Sequence, residues 1–240
     1  MNHPAADRSW SGAPEADTDG PAGDPLGAAR DADGHSPRSW LEASSDGADR
    51  PVVALRPGPG RGVLLAVGPG RAVADHRSLP FRAKTVPAVV LDMCLPALDG
   101  VDDLFAELRR ILRPAGTVAA LVPLRPGFST ASRRDAACRH AAERALGGRP
   151  TFRNESARDH LHWLFAAADF AVLTDQRRTF RLPLPDPPAA GRAVDALVDG
   201  GFWPRGLDPA RLDAARRALA DRAGDDRSLP LRLRLLVARR

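Results

Sequence analysis

The sequence predicts an α/β protein built on a doubly wound, mostly parallel sheet, and three observations predict it. Residues 88–91 and 117–122 are continuous apolar runs, as expected of strands buried on both faces. Between them, Val101, Leu104, Phe105, Leu108, Ile111 and Leu112 repeat at i, i+3, i+4 and i+7, the stripe of a helix with one buried face. The links are short, so strand, helix and strand form one right-handed crossover. Strand and helix patterns keep alternating to the end of the chain.

Taken in order, residues 1–50 read as a disordered tail. They are dense in Ala, Asp, Gly, Pro and Ser and nearly empty of Val, Ile, Leu and Phe, so little apolar surface is available to offset ordering entropy. Trp10 and Trp40 are exceptions, each able to dock on the body or on a partner. Residues 51–240 then form the folded domain. Residues 52–55 read as its first strand and Gly58-Pro59-Gly60 as the turn after it. A second Gly-Pro-Gly-Arg at 68–71 leaves the register of that turn ambiguous.

The helix at 99–113 has readable ends. Asp99 is placed to cap it, and Asp102 and Asp103 sit where the macrodipole favours anions. Arg109, Arg110 and Arg113 sit at the cationic end, Pro114 stops the helix, and Gly116 suits a left-handed exit. Further on, residues 133–146 and 159–168 read as helices, 170–175 as a strand, and 179–184 as its extension or partner. Residues 185–227 read as a helical insert or lid. It has a proline-rich linker at 185–190, a short helix at 193–198, a turn at Gly200-Gly201-Phe202-Trp203-Pro204, and a helix capped by Asp208. Phe202 and Trp203 either line an apolar pocket at the sheet end or pack the insert. Leu/Arg alternation at 231–238 marks a closing, half-exposed strand.

Composition excludes several classes. Residues 1–50 hold ten acids against four arginines, whereas 51–240 holds 30 Arg and Lys84 against 20 acids. A basic body points to nucleic acid only if its charge is clustered. Here the arginines are scattered or lie beside acids, without interleaved aromatics, so no nucleic-acid partner is expected. The two cysteines, Cys94 and Cys138, have no paired spacing and fit a reducing cytoplasm. No apolar run approaches the length of a membrane span, and no signal peptide is expected. His160 and His162 are two apart and share no helix face, so no metal site is expected from them, even with Cys138 or His140.

One ordered set of short motifs resembles a known family. Asp75-His76-Arg77-Ser78-Leu79-Pro80-Phe81 is similar to the D-A-x-x-L-P-F segment of class I S-adenosylmethionine-dependent methyltransferases, in the small-molecule subgroup called type 11. Leu95-Pro96-Ala97-Leu98 sits where that subgroup has a short L-H-H-L-like turn. Glu107-Leu108-Arg109-Arg110-Ile111-Leu112-Arg113-Pro114-Ala115-Gly116 resembles its E-x-x-R-V-L-R-P-G-G pattern.

The resemblance implies a Rossmann-like fold, S-adenosyl-L-methionine as cofactor and a small-molecule methyl acceptor. It implies Gly58, Gly60, Asp75, His76, Leu91 and Asp92 as cofactor-binding residues, with no catalytic residue named. Asp75 would accept from the adenine amino group and His76 would pack beside the ring. Asp75 is also readable as a plain strand-end acid, and Asp92 as a solvated loop acid. The family's glycine motif is degenerate here, because Ala54 stands where an acid belongs and Arg56 where the first glycine belongs. Between Gly60 and Asp75 there is no ribose-binding acid and hardly room for a helix, a strand and a helix. The second strand unit is therefore expected to be missing. These departures support an alternative, a non-catalytic methyltransferase-like protein that binds a protein partner.

Overall fold

The computed structural model of the protein describes residues 27–44, 52–58, 63–67, 70–125 and 133–240. Seven strands form one sheet: β1 (Val52–Pro57), β2 (Val63–Val67), β3 (Gly70–Ala74), β4 (Val86–Asp92), β5 (Leu112–Pro123), β6 (Ala171–Pro183) and β7 (Ser228–Arg239), in the order β3-β2-β1-β4-β5-β7-β6. β1, β3, β4, β5 and β6 point one way, which makes the sheet mostly parallel in strand direction. Only the β1–β4 and β4–β5 pairings are themselves parallel. β2 and β7 run against their neighbours.

Side-chain alternation sorts the strands' residues onto two faces. Val53, Leu55, Val89, Leu91, Val118 and Ala120 join α2 (Val101–Ile111), α4 (Glu155–Asp159) and α5 (Leu161–Ala167) in one core. Within it Phe105, Phe165 and Phe170 pack ring on ring, with centroids 4.9 to 6.0 Å apart. Val90, Ala119, Leu121, Leu235 and Val237 face the other way. There they meet α1 (Pro37–Ala43), α3 (Arg133–Ala145), α6 (Pro187–Asp199) and α7 (Pro209–Ala220). The result is a three-layer sandwich. Among the described residues no helix is long and apolar enough to cross a membrane.

The second strand unit differs from a crossover as expected, and its replacement is a hairpin. β1, β2 and β3 form an antiparallel meander without intervening helices. The strand directions also resolve the two glycine-rich turns. Gly58 lies at the carboxyl end of β1, whereas Val67 and Gly70, which flank the second, lie at the opposite end of the sheet.

Several local expectations are corrected. Asp99 does not cap α2. The cap is Gly100 in a left-handed conformation (φ 70°), without a side-chain bond, and Asp99 turns instead to Arg153 at 2.6 Å. α2 ends at Ile111, before Pro114, because β5 begins at Leu112, and the left-handed residue is Ala115 rather than Gly116. The 159–168 helix is two pieces broken at His160. Residues 187–190, expected in a linker, open α6: Asp186 caps it by accepting from the Ala189 amide, and prolines are favoured at the first helical position. α6 and α7 lie flat on the sheet face against α3, and only the loop between them reaches the strand ends.

Part of the expected disordered tail is folded. Residues 27–44 form a strap on the outer strand β6, joined by an Arg30–Arg181 bridge. Asp31 takes the Arg178 guanidinium at 2.6 Å, and its other oxygen accepts from the Asp33 and His35 amides. Ser36 and Ser39 make a reciprocal capping box on α1, and Trp40 is buried against Phe180. Trp10 lies outside the described residues.

The Asp75–Phe81 segment is held by α2. Arg110 donates to the Leu79 and Phe81 carbonyls at 2.8 and 2.7 Å, and the Leu79 amide donates to Glu107 at 2.8 Å. The two clamp residues bind each other as well. The Arg110 hydrogen bonds hold the Glu107 carboxyl below its ordinary value of 4.5. Asp175 is lowered in the same way by Arg234 on β7. A carboxylate whose folded value is depressed stabilises the protein above its unfolded value, and that contribution is lost as pH falls through the folded value. Urea midpoints are therefore expected to fall as pH drops from about 5 to about 3. Glu107→Gln is expected to show a shallower slope. Parallel slopes for the two proteins would remove Glu107 from the acid response.

Candidate active site

The strand order reverses between β1 and β4, since the chain proceeds outward from them in both directions. In open α/β sheets a ligand crevice lies at the strand carboxyl ends at such a switch point. Gly58 follows β1 there, Asp92 ends β4, and Asp75 and His76 follow β3. β3 stands two strands from β1, about 10 Å away at ordinary strand spacing. The sequence-predicted residues thus fall along one edge of the sheet. Gly60 lies outside the described residues.

At the β3 end the geometry suits an adenine-like group. Asp75 is exposed, and one of its oxygens accepts from the Arg77 amide at 3.0 Å. His76 is 3% exposed. Its Nε2 lies 2.9 Å from the Asp99 carbonyl, which can only accept, so Nε2 carries the proton. Nδ1 is buried, and among the described residues it has no hydrogen-bond partner. Nδ1 lies 3.6 Å from an Asp75 oxygen. The exposed Asp75 carboxylate is the acceptor open to an exocyclic amine there, with the buried His76 ring beside it. The Glu107–Arg110 clamp supports this arrangement from behind. Its two residues are the E and R of the quoted motif, a role that sequence alone did not assign.

At the β1–β4 junction the protein uses its own groups. Arg56 donates from Nε to Asp92 at 2.9 Å, so the residue in the glycine's place and the acid at the β4 end neutralise each other. The α6–α7 loop closes over the same point. Gly201 (φ 76°) is so near Met93 and Pro57 that a Cβ would lie 3.0 Å from the Met93 carbonyl oxygen. Arg205 donates to the Gly58 carbonyl at 2.7 Å. The sequence showed Arg56 only as a missing glycine. Its pairing with Asp92, 36 positions away, and the approach of the 200–205 turn to the same point carried no sequence signal. Leu91, predicted to face the crevice, is fully buried in the α2-side core. Ala54 is half-buried on the opposite face.

A separate cavity of about 90 Å³ lies beyond the end of β5, walled by Pro123, Leu124, Phe202 and Trp203. Phe202 and Trp203 therefore line a pocket. His160 and His162 are exposed and line no part of it. Burial pushes the Cys94 and Cys138 thiols up, which leaves both unreactive. Among the described residues Asp31, Asp33 and His35 bring possible metal-ligand atoms within 4.8 Å, but Asp31 is already bonded to Arg178 and to two backbone amides.

Residues 60–120 match the methyltransferase domain family. Comparison with curated proteins finds no match. Among solved structures, a putative type II methyltransferase from Anaeromyxobacter dehalogenans is 18% identical. It aligns over 85% of this chain and 95% of its own, with a TM-score of 0.49. The cyclase SpnF is 18% identical over 70% of this chain, with a TM-score of 0.39, and the match spans 54% of its length. A geranyl diphosphate C-methyltransferase from Streptomyces coelicolor A3(2) is 17% identical over 70% of this chain and 53% of its own, with a TM-score of 0.33. The matched stretch, residues 60–120, takes in β2, β3, β4 and α2 and ends within β5, and over it the chain is similar to a methyltransferase domain.

Proposed function

We propose that the protein is an S-adenosylmethionine-dependent methyltransferase acting on a small molecule. The observation that carries this reading is the exposed Asp75 carboxylate beside the buried His76 ring, in a segment held by the Glu107–Arg110 clamp inside the matched stretch. The adenine end of the cofactor fits those residues. The cofactor supplies a methyl group activated by a sulfonium. The protein's share is to bind, align and exclude water, which needs no universal acid or base. Domain boundaries of 51–240 for the catalytic unit, extended by the 27–44 strap, belong to this proposal, as does a cytoplasmic setting.

A second reading rests on a specific observation. The Arg56–Asp92 pair and the Arg205–Gly58 bond occupy the β1–β4 crevice, where the methionyl end would lie. A protein with that crevice shut would bind a partner without catalysis.

Calorimetric titration of the full chain with S-adenosylmethionine separates the two readings, with Asp75→Asn in parallel. Asn keeps one acceptor but adds a donor facing the amine. Asp75 is exposed, so the loss is expected near the low end of a charge-assisted bond, about 1.5 kcal/mol or roughly tenfold in affinity. No heat from either protein at millimolar ligand would favour the non-catalytic reading. Tight binding indifferent to the substitution would remove Asp75 from the site.

A further inference from the structure

We infer that the cavity beyond β5 is a binding site for a short-chain carboxylic acid with a branched apolar body. As the methyl acceptor's site it rests on the reading above; as a binding site it does not. The apolar share of the lining includes Pro123, Leu124, Phe152, Phe202 and Trp203. The polar share is mostly guanidinium: Arg139, Arg149, Arg158 and Arg232 line the cavity against one acid, Glu143.

Arg158 is the centre of the argument. It is 5% exposed, on the short helix α4, and Nε has no hydrogen-bond partner. Its Nη2 binds Glu155, Asp159 lies 3.5 Å from Nε, and the guanidinium sits 5.4 Å from the Phe152 ring centroid. Arg125 shares both carboxylates, at 2.9 and 2.8 Å. Two arginines and two acids thus balance each other behind the wall. On the opposite wall Glu143 is shared by Arg139 and Arg149, at 3.7 and 3.8 Å, and among the described residues Arg232 donates to the Arg125 backbone carbonyl and to no carboxylate. Five arginines therefore meet three carboxylates. An excess of cations over carboxylates in a half-buried setting is costly, and a bound anion lowers that cost. Burial also draws the Arg158 pKa down.

Size limits the apolar part. About 90 Å³ is well below the roughly 150 Å³ of a cavity that holds benzene, which suits a short branched chain and not a fused ring system. Arg149, with a side chain 46% exposed, stands at the mouth where a carboxylate can enter. The loop carrying Phe202 and Trp203 on the cavity side carries Gly201 and Arg205 on the crevice side, so one short segment separates the two spaces.

The test is an NMR titration of the full chain without S-adenosylmethionine, using isobutyrate, its neutral isostere isobutyramide, and inorganic phosphate. Isobutyrate is expected to bind at least about tenfold tighter than the amide and tighter than phosphate, with shifts at Trp203 and Phe152. Arg149→Gln should weaken isobutyrate severalfold and leave the amide and the melting temperature unchanged. Arg158→Lys keeps the charge and should weaken the acid by losing the planar fork. Equal binding of acid and amide overturns the site, as does no acid binding or an Arg149→Gln protein with unchanged affinity. Phosphate binding as tightly as isobutyrate overturns the carboxylic acid class. A failed acid titration beside a positive cofactor titration rejects this inference alone, and the converse rejects the methyltransferase reading alone.

Discussion

Trp40→Ala is expected to lower the unfolding free energy by about 3–5 kcal/mol, the usual cost of removing a large buried aromatic. For a chain of this size that corresponds to a melting temperature lower by roughly 6–20 °C. The magnitude follows from what the ring touches. Trp40 is 4% exposed, its centroid is 5.7 Å from Phe180 at 43°, and the Arg178 guanidinium lies 5.1 Å from its centroid. Phe180 and Leu182 lie beneath the strap on β6, so undocking α1 would expose them as well. The strap's polar contacts would not hold it alone. The Asp31–Arg178 pair sits at the edge, with Arg178 31% exposed, and such pairs contribute little. Trp40→Phe keeps most of the apolar area and should lose less than half as much. The measurement is thermal and urea unfolding with amide exchange over residues 27–44. A Trp40→Ala protein melting within a degree or two of the parent, with those amides equally protected, would mean the strap is not part of the cooperative unit.

The same residues show why the tail was partly misread. A composition average over 50 residues is dominated by Asp, Gly, Pro and Ser, and the average is what argues for disorder. The docked part is only 18 residues long, and its anchors are Ala29, Pro37, Trp40 and Leu41. Four contacts against an existing surface need no hydrophobic period of their own, so nothing in the pattern announces them. The central sheet was legible for the opposite reason. Val86–Asp92 is buried along nearly its whole length, and α2 buries the residues of its apolar stripe. Patterns that extend through a whole element survive without tertiary information.

The candidate site divides in the same way. Asp75, His76 and the Glu107–Arg110 clamp lie within one continuous stretch, and their motif could be read in order. Arg56 and Asp92 are brought together only by β1 pairing beside β4. The closing loop comes from between α6 and α7, where a linker and a turn were legible but not what they touch. Helix boundaries failed where proline carried two meanings: it ends helices, but in Pro187–Asp199 it begins one.

Arg56→Ala is expected to tighten S-adenosylmethionine binding by about tenfold to a hundredfold, the effect of releasing a charge-assisted partner worth roughly 1.5–3 kcal/mol. In the parent, the Arg56 side chain is 34% exposed and bonds Asp92 at 2.9 Å, so the crevice has a cation where a sulfonium and an ammonium would come to rest. Removing the guanidinium relieves that repulsion, frees Asp92 to accept from the ammonium, and opens the space above β1. The sign depends on charge. S-adenosylmethionine carries a net positive charge, and S-adenosylhomocysteine, without the sulfonium, carries none. The gain for the first should therefore exceed the gain for the second. Asp92→Asn is the control: it also unlinks Arg56 but leaves an uncompensated cation in the crevice, and affinity should fall. The fold should tolerate Arg56→Ala, since a part-exposed ion pair contributes about 1 kcal/mol or less. Titrating the three proteins with both ligands at matched low and moderate salt reads all of this, because the charge component weakens with screening. Equal gains for both ligands would reduce the effect to simple room-making. No gain with either ligand would mean that the α6–α7 loop, pinned by Arg205, is what keeps the crevice shut. The substitution to make next would then be Arg205→Ala, which removes the bond to the Gly58 carbonyl while leaving the Arg56–Asp92 pair intact.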